Sequence, residues 1–239
     1  MKFTLPALAC TAFFAQANGA TLLGSSFAAD SSTRALPSVA GSDWAYWATT
    51  GTVTGPTNTS AEGGRNFAIS AVGTTPTSFL GSGSPAGTKF TYSNGESPVS
   101  QGTAFAVGGI RTNLVSTAAV DTGLQITLSS FTQTSRIQLW TFNFIANSTL
   151  NVYLDGSSTV AYTKDVASSP SGKPGYLYTF DFEPTSISDQ IRIEFIQKSG
   201  ADGASNIGFQ AIAITPIPEP SVALLGLAAL PLMARRRRR

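Results

Sequence analysis

The stretch Ile191-Arg192-Ile193-Glu194-Phe195 alternates strictly between apolar and charged side chains. Successive side chains of a strand point to opposite faces, so the pattern predicts a strand with its three apolar residues in the core and Arg192 and Glu194 in water. Residues 176–183 alternate in the same way, and four of their side chains are predicted to share one face: Tyr176, Tyr178, Phe180 and Phe182. Both segments are typical of a sheet with one buried face.

Further strand signals extend this pattern along the chain. Ile137 to Ile145 is apolar on both faces, which predicts a central strand, and Ile207 to Ile214 is predicted as the last strand. Asp155-Gly156 lies between two apolar segments and predicts a hairpin, and Asn94-Gly95 marks a second turn. No segment between the chain ends shows sustained helical periodicity. We therefore predict an all-β domain over 43–215, with about ten strands in a two-sheet sandwich, preferably a jelly roll.

The segments between these strands are expected to be irregular. Residues 51–65 and 73–88 are rich in Gly, Thr, Ser and Pro and are predicted as long surface loops. Residues 21–42 are predicted to form a loose N-terminal arm ahead of the sandwich. No repeat of fixed length is visible, which disfavours a propeller or a solenoid.

The composition excludes several classes of function. The chain has 239 residues with no His and one Cys, so Ser-His-Asp catalysis and His metal sites are excluded. Charged residues make up 12%, about half of the roughly 25% usual in globular domains, whereas Ser and Thr number 29 each. Residues 21–215 contain nine basic and twelve acidic side chains and no basic patch, so no nucleic-acid partner is expected. No cofactor is predicted, and calcium, which needs only clustered oxygen ligands, stays open without an assigned site because the aspartates are scattered along the chain.

The N-terminal segment 1–20 is predicted to be a secretory signal peptide. Lys2 precedes an apolar run, and Ala15 and Ala17 form the small-x-small pattern that signal peptidase recognises. Cleavage after Ala17 is preferred, with Ala20 as the second choice. Removal of this helical leader also removes Cys10, so the mature chain is expected to contain no thiol.

The C-terminal segment 216–239 contains three features in a fixed order. Pro218-Glu219-Pro220 forms a stiff, extended hinge, because each proline fixes its own φ and disfavours helix in the preceding residue. Val222 to Ala234 is an uncharged run of 13 residues that is predicted to form a short hydrophobic helix, shorter than the roughly 20 residues that span a bilayer as a straight helix. Five arginines follow and are expected to stay in the cytoplasm: Arg235, Arg236, Arg237, Arg238 and Arg239.

This tail resembles the PEP-CTERM sorting signal of bacterial exosortase substrates. The resemblance covers the last 24 residues, with an apolar run at the short end for the family and a proline, Pro231, inside it. It implies that a membrane-embedded exosortase recognises Pro218, Glu219 and Pro220 and cleaves near them. It further implies a precursor held transiently in the inner membrane and a mature form at the cell surface or in extracellular polysaccharide. A permanent stop-transfer anchor is the alternative interpretation.

The body also resembles the β-sandwich ectodomains found ahead of such tails. The resemblance lies in Asp43-Trp44-Ala45-Tyr46-Trp47, the strand around Trp140, the turn at 154–156 and the last strand, and it contains no diagnostic motif. Domains of this type are similar in architecture to galactose-binding-like and carbohydrate-binding modules, but architecture alone does not establish that activity.

The aromatic cluster at 43–47 has two interpretations. Trp44 and Tyr46 would share one strand face and Trp47 the other, which permits a platform that stacks on a sugar ring. Alternatively, the three rings close one end of the core, where each can bury about 150–250 Å². The core interpretation is preferred, and it is preferred for Trp140 as well.

No catalytic residue is assigned. Asp181 and Glu183 share a predicted strand face about 6.6 Å apart, within the range of roughly 5–9 Å that glycosidase carboxylates require. That spacing occurs in every strand, and Pro184 is predicted to end this one, so both are interpreted as solvated side chains. We therefore expect a non-enzymatic, exported surface or matrix protein with a structural or adhesive role. The alternative is a carbohydrate-binding module that acts on extracellular polysaccharide.

Overall fold

The structure is a computed structural model. It describes residues 19–48, 51–53, 55–61, 63–73, 79–81, 88–106, 109–112, 121–168, 174–200 and 205–218. The predicted signal peptide with Ala15 and Ala17 lies outside these residues, apart from its last two positions. The C-terminal apolar run and the arginine cluster lie outside them as well, so their predicted helices are not described.

The described residues form strands and no helix. In chain order the strands are β1 (Thr21–Ala29), β2 (Thr33–Ala35), β3 (Asp43–Tyr46), β4 (Gly51–Val53), β5 (Asn58–Thr59), β6 (Ile69–Val72), β7 (Phe79–Gly81), β8 (Lys89–Tyr92), β9 (Gln101–Ala106), β10 (Ile110–Thr112), β11 (Thr122–Leu128), β12 (Ser135–Phe144), β13 (Ala146–Leu154), β14 (Val160–Val166), β15 (Gly175–Glu183), β16 (Ile191–Gly200) and β17 (Asn206–Pro216). The predicted all-β class is confirmed.

Two large sheets face each other in a sandwich-like arrangement. The larger sheet has the order β1-β15-β12-β17-β10-β7-β4, with β3 paired to β17 and β5 paired to β3. The smaller sheet has the order β14-β13-β16-β11-β6. The main core lies between them and is built from the inward faces of the long strands, including Phe180, Phe195 and Phe209, all 0% exposed.

A third sheet, β2-β8-β9, covers part of the outer face of the larger sheet. A second hydrophobic cluster contains Phe90 and Tyr92 from β8, together with Trp44 of β3 and Trp140 of β12. Phe90 and Trp140 meet edge to face, with ring centroids 5.4 Å apart. This cluster makes the fold three layers deep on that side and leaves the rest of the outer face open.

Three local predictions are confirmed. β12 lies between β15 and β17 and is buried over most of its length, as expected of a central strand. β13 and β14 form the hairpin, and Asp155 (φ 51°) and Gly156 (φ 71°) both have the positive φ that a type I′ turn requires. β17 is the last described strand, as predicted from Ile207 to Ile214.

Four expectations are corrected. Residues 21–42 are not a loose arm, because Thr21–Ala29 pairs with β15 over its length and forms an edge strand of the larger sheet. The regions 51–65 and 73–88 contain the short strands β4, β5 and β7. With these and other short strands, the strand number exceeds the predicted ten. Glu194 does not face water: it is 8% exposed and pairs with Arg192 at 3.1 Å.

Candidate functional site

The predicted sugar-stacking residues lie in the interior of the protein. Trp44, Tyr46 and Trp47 are 0%, 6% and 0% exposed, which leaves no ring face available to a ligand. As expected for a strand, Trp44 and Tyr46 share the outer face of the larger sheet and Trp47 belongs to the main core. The stacking interpretation is therefore corrected in favour of the core interpretation.

Trp44 and Tyr46 use their polar atoms internally, whereas the buried indole N–H of Trp47 has no hydrogen-bond partner among the described residues. The indole Nε1–H of Trp44 donates to Asn94 Oδ1 at 2.9 Å, and the hydroxyls of Tyr46 and Tyr92 lie 3.5 Å apart. Burial, reinforced by the Tyr92 hydroxyl, raises the pKa of Tyr46. These hydrogen bonds anchor β3 to the third sheet and indicate a structural role.

A polar groove lies on the part of the outer face that the third sheet leaves open. It has a volume of about 440 Å³ and crosses three neighbouring strands of the larger sheet, β1, β15 and β12. Its lining is small or polar throughout: Gly24, Ser25, Ser26, Arg136, Gln138, Thr179 and Asp181. The groove has no local signal in the sequence, because its residues come from three distant segments.

One ion pair dominates the floor of the groove. The guanidinium of Arg136 binds the carboxylate of Asp181 in a bidentate manner, with Nε–Oδ1 at 2.8 Å and a second N–O contact at 2.9 Å. The hydrogen bonds that Arg136 donates to Asp181 raise the pKa of Arg136, so the guanidinium stays charged. Among the described residues, Ser26, Gln138 and Thr179 show no side-chain hydrogen bond, and their polar groups are available to a ligand.

The predicted carboxylate pair is not arranged for glycoside cleavage. Asp181 is engaged by Arg136, whereas Glu183 is exposed at the last position of β15. Within the described residues no group of three His, Cys, Asp or Glu side chains is placed to hold a metal ion.

A second, smaller cleft of about 270 Å³ lies beside the start of β3. Its acidic residue, Asp43, is buried and accepts hydrogen bonds from Ser60 Oγ at 2.6 Å and the backbone N–H of Arg65 at 3.2 Å. Gly63 packs so closely against Asp43 that a Cβ would clash with its carboxylate. Burial lowers the pKa of Arg65, which lies 4.3 Å above the ring of Phe131. Because these groups satisfy one another, the cleft is interpreted as a loop anchor.

The predicted sorting residues begin immediately after the folded domain. β17 ends at Pro216, the backbone N–H of Ile217 donates to the carbonyl of Thr134 at 2.9 Å, and Pro218 is exposed. Glu219 and Pro220 lie outside the described residues. The first proline of the triplet is thus one residue beyond the last hydrogen bond that the described chain makes at this point.

The N-terminal junction is also attached to the domain. The backbone N–H of Ala20 donates to Asp155 Oδ2 at 2.7 Å, and the side chain of Ala20 packs against the main core. Cleavage after Ala17 would keep this attachment, whereas cleavage after Ala20 would remove it.

The chain matches no protein-family model and no curated protein. No helix among the residues that the structure describes is long and apolar enough to cross a membrane.

Proposed function

We propose that this chain is an exported bacterial surface or extracellular-matrix protein whose C-terminal tail is processed by an exosortase. Its role is structural or adhesive, without enzymatic activity. The proposal rests on one observation: Pro218-Glu219-Pro220, an apolar run and an arginine cluster follow one another at the C-terminal end of the sequence. The resemblance of this tail to the PEP-CTERM signal implies the processing step.

The position of Pro218 supports the proposal. A protease that recognises a short peptide needs it extended and free of the folded domain, and Pro218 is exposed directly after β17. The linker between the domain and the triplet is therefore very short. In the precursor, the domain stays close to the membrane that holds Val222 to Ala234.

The N-terminal segment supports the exported location. Signal peptidase acting after Ala17 would leave Ala20 in place on Asp155 and would discard Cys10. The precursor would then be held in the inner membrane by its tail, with the domain outside the cytoplasm and Arg235–Arg239 inside. Processing would release the domain to the cell surface or the extracellular polysaccharide.

We also propose a jelly-roll topology for the sandwich. From β11 onward the chain crosses repeatedly between the two large sheets: β11 lies in the smaller one, β12 in the larger, β13 and β14 in the smaller, β15 in the larger, β16 in the smaller and β17 in the larger. Such crossings support the jelly-roll, galactose-binding-like topology.

Intact mass spectrometry of the protein from cells with and without exosortase tests the processing step. We expect the form from exosortase-positive cells to lack about 20 C-terminal residues, a loss of about 2 kDa at roughly 110 Da per residue of ordinary composition. Glu219→Ala should leave the longer form in the inner membrane, and Glu183→Ala, an exposed carboxylate in the domain, is the matched control. If the wild-type protein keeps Arg235–Arg239 in exosortase-positive cells, the tail is a permanent anchor and not a sorting signal.

Carbohydrate binding is the second candidate function, and the polar groove favours it. Sugar hydroxyls both donate and accept hydrogen bonds, and the groove offers Arg136 and Asp181 together with the unengaged side chains of Gln138 and Thr179. An extracellular polysaccharide is the ligand class that this location and chemistry suggest.

Retention on immobilised polysaccharides and a glycan array test the binding function. Asp181→Asn and Gln138→Ala should reduce retention, because both remove groove groups without disturbing the core. Lys198→Gln removes an exposed ion pair away from the groove, that of Lys198 in the smaller sheet with Asp121, and should leave retention unchanged. If no sugar is retained, or if all three variants behave alike, the groove has no role in sugar binding.

A further inference from the structure

Both ends of the described chain leave the sandwich at the same end. In the larger sheet Thr21 pairs with Glu183, the adjacent residue Phe182 pairs with Ser135, and Ser135 in turn pairs with Pro216. β1 and β17 are three strand positions apart in this sheet, which separates the two exits by about 14 Å at roughly 4.8 Å per strand.

We call this surface the terminal end. It consists of six segments: residues 19–21, 39–42, 129–134, 155–160, 184–190 and 216–218. The pairing of Leu154 with Ile191 and the contact of Gly41 with Pro216 place these loops at one end of the molecule. The opposite end contains the 166–168 segment, since Val166 pairs with Ser148 near the start of β13.

Exposed apolar side chains are concentrated at this terminal end. Five large hydrophobic side chains among the described residues are well exposed, and four of them lie on or beside the terminal end: Leu23 (54%), Val39 (56%), Val160 (41%) and Ile187 (64%). The fifth, Val99, lies in the connection between β8 and β9. Single exposed apolar residues are common, but their concentration at one end indicates a contact surface.

Ile187, the most exposed of the four, lies in a loop that is fixed by hydrogen bonds. The carboxylate of Asp189 accepts hydrogen bonds from the backbone N–H of Thr185 (2.6 Å), the Thr185 hydroxyl (2.9 Å) and the backbone N–H of Ser186 (2.9 Å). The backbone N–H of Asp189 donates back to the carbonyl of Ser186 at 3.1 Å. These bonds fix a turn that displays Ile187 at its tip.

We infer that the terminal end lies against the lipid surface of the inner membrane in the precursor. The inference rests on the proposed function, which holds the chain in that membrane through Val222 to Ala234. Since Pro218 is only four residues from this apolar run, the terminal end is the part of the domain nearest to the lipid. Its apolar side chains would enter the interface between headgroups and acyl chains.

The charges of the terminal end do not favour an electrostatic contact with anionic lipid. Its only charged side chains are the acidic Asp155 and Asp189, which accept backbone hydrogen bonds, and the nearby Arg65 and Arg192 are each within salt-bridge distance of a carboxylate. Without an exposed basic cluster among the described residues, the contact should not require anionic lipid. This distinguishes a lipid interface from a docking site for an acidic protein.

Site-specific fluorophores and lipid-borne quenchers test the inference on the precursor that follows leader removal, residues 18–239, so that flotation reports the tail and not the leader. The protein is placed in vesicles of phosphatidylethanolamine and phosphatidylglycerol that contain nitroxide-labelled lipid. Single cysteines replace Val39 or Ile187 at the terminal end, and Ala167 or Ser168 at the opposite end, in this chain, which contains no other cysteine. All four positions are exposed, so the labels should not disturb the fold.

We expect several-fold stronger quenching at Val39 and Ile187 than at Ala167 and Ser168, with little change when phosphatidylglycerol is omitted. Equal quenching at both ends, in a precursor that floats with the vesicles, would overturn the inference and leave the proposed function intact. A precursor that does not float with the vesicles would overturn both. If the label at Ile187 is shielded from solvent only when exosortase is present, the terminal end contacts the enzyme and not the lipid, which would contradict the inference.

Discussion

The carboxylate of Asp30 accepts a 3.0 Å hydrogen bond from the indole Nε1–H of Trp140, which lies 110 positions further along the chain. Asp30 is 4% exposed and also accepts from Ser32 and from the partly exposed Arg34. One buried carboxylate thus joins the connection between β1 and β2 to the central strand β12, underneath the third sheet.

Replacing Asp30 should destabilise the fold in a pH-dependent way. Burial alone would raise the pKa of Asp30, but hydrogen bonds from Arg34, Ser32 and Trp140 outweigh it and lower the pKa below its usual 3.8. Asp30→Ala leaves the Trp140 N–H without its acceptor and should cost about 2–4 kcal/mol in urea unfolding at pH 7.

The sign of the pH effect follows from the lowered pKa. The stabilisation by Asp30 is fully present above its unfolded-state pKa and is lost as the pH falls through the lower folded-state value. The difference in stability between wild type and Asp30→Ala should therefore shrink below about pH 4. A difference that stays constant down to pH 2 would contradict the role given to the carboxylate.

Removing the hydroxyl of Tyr178 should stabilise the protein. This hydroxyl is buried in the main core and has no hydrogen-bond partner in the part of the chain that the structure describes. Tyr178→Phe removes an unsatisfied polar group and should raise the free energy of unfolding by about 1 kcal/mol. Thermal unfolding of this variant, compared with Tyr46→Phe, provides the measurement, since the Tyr46 hydroxyl contacts that of Tyr92.

The same residue should affect alkaline stability. Burial raises the pKa of Tyr178 well above 10.0. The unfolded chain ionises first as the pH rises, so the contribution of Tyr178 to stability falls above about pH 10. Tyr178→Phe should lose less stability between pH 9 and pH 11 than the wild type.

Trp44→Ala should lower the free energy of unfolding, because Trp44 is a core residue and not a ligand-binding one. The ring is completely buried in the second cluster and packs on Tyr92 with centroids 4.9 Å apart. Large-to-small changes of this kind cost about 3–5 kcal/mol. Val99→Ala, at an exposed position, should change stability by less than about 0.5 kcal/mol. Chemical denaturation that finds Trp44→Ala as stable as wild type would show that the ring is not a core element.

Asp155 should control how firmly the N-terminal junction is attached. Its carboxylate accepts the backbone N–H groups of Ala20 and Gln190, and its φ of 51° is one that Ala tolerates poorly. Asp155→Ala should cost about 1–3 kcal/mol and speed amide exchange near residue 20, whereas Asp155→Asn should lose less, since Asn can accept hydrogen bonds and tolerates this φ. Equal exchange in both variants would argue against the attachment.

Local patterns were sufficient for the second half of the domain. β12, the hairpin of β13 and β14, and the strands β15 to β17 all alternate or are continuously apolar, and the sequence predicts each of them. β1 could not be predicted from the sequence, because its centre, Gly24-Ser25-Ser26, has little apolar periodicity. It is a strand because β15 supplies its hydrogen bonds, and that partner is about 150 residues away.

The candidate sites were predictable to a different degree. The tail is a continuous motif and can be recognised directly in the sequence. The polar groove brings together Gly24, Arg136 and Asp181, whose proximity depends on the sheet order β1-β15-β12 and has no local signal. The burial of Trp44 also depends on a non-local element, because the third sheet covers a face that would otherwise be exposed.

The attachment of the tail to β17 has a mechanical consequence. β17 pairs with β12 along ten register positions and with β3 on its other side, and Ile217 and Pro218 follow it directly in the chain. A force that pulls on Pro218 along the strand must shear these ladder bonds together instead of opening them one after another. A domain tethered at its C-terminus would thus carry the pulling force on β17, a strand that is paired on both sides. It should therefore resist unfolding when fluid flow pulls on the tethered protein.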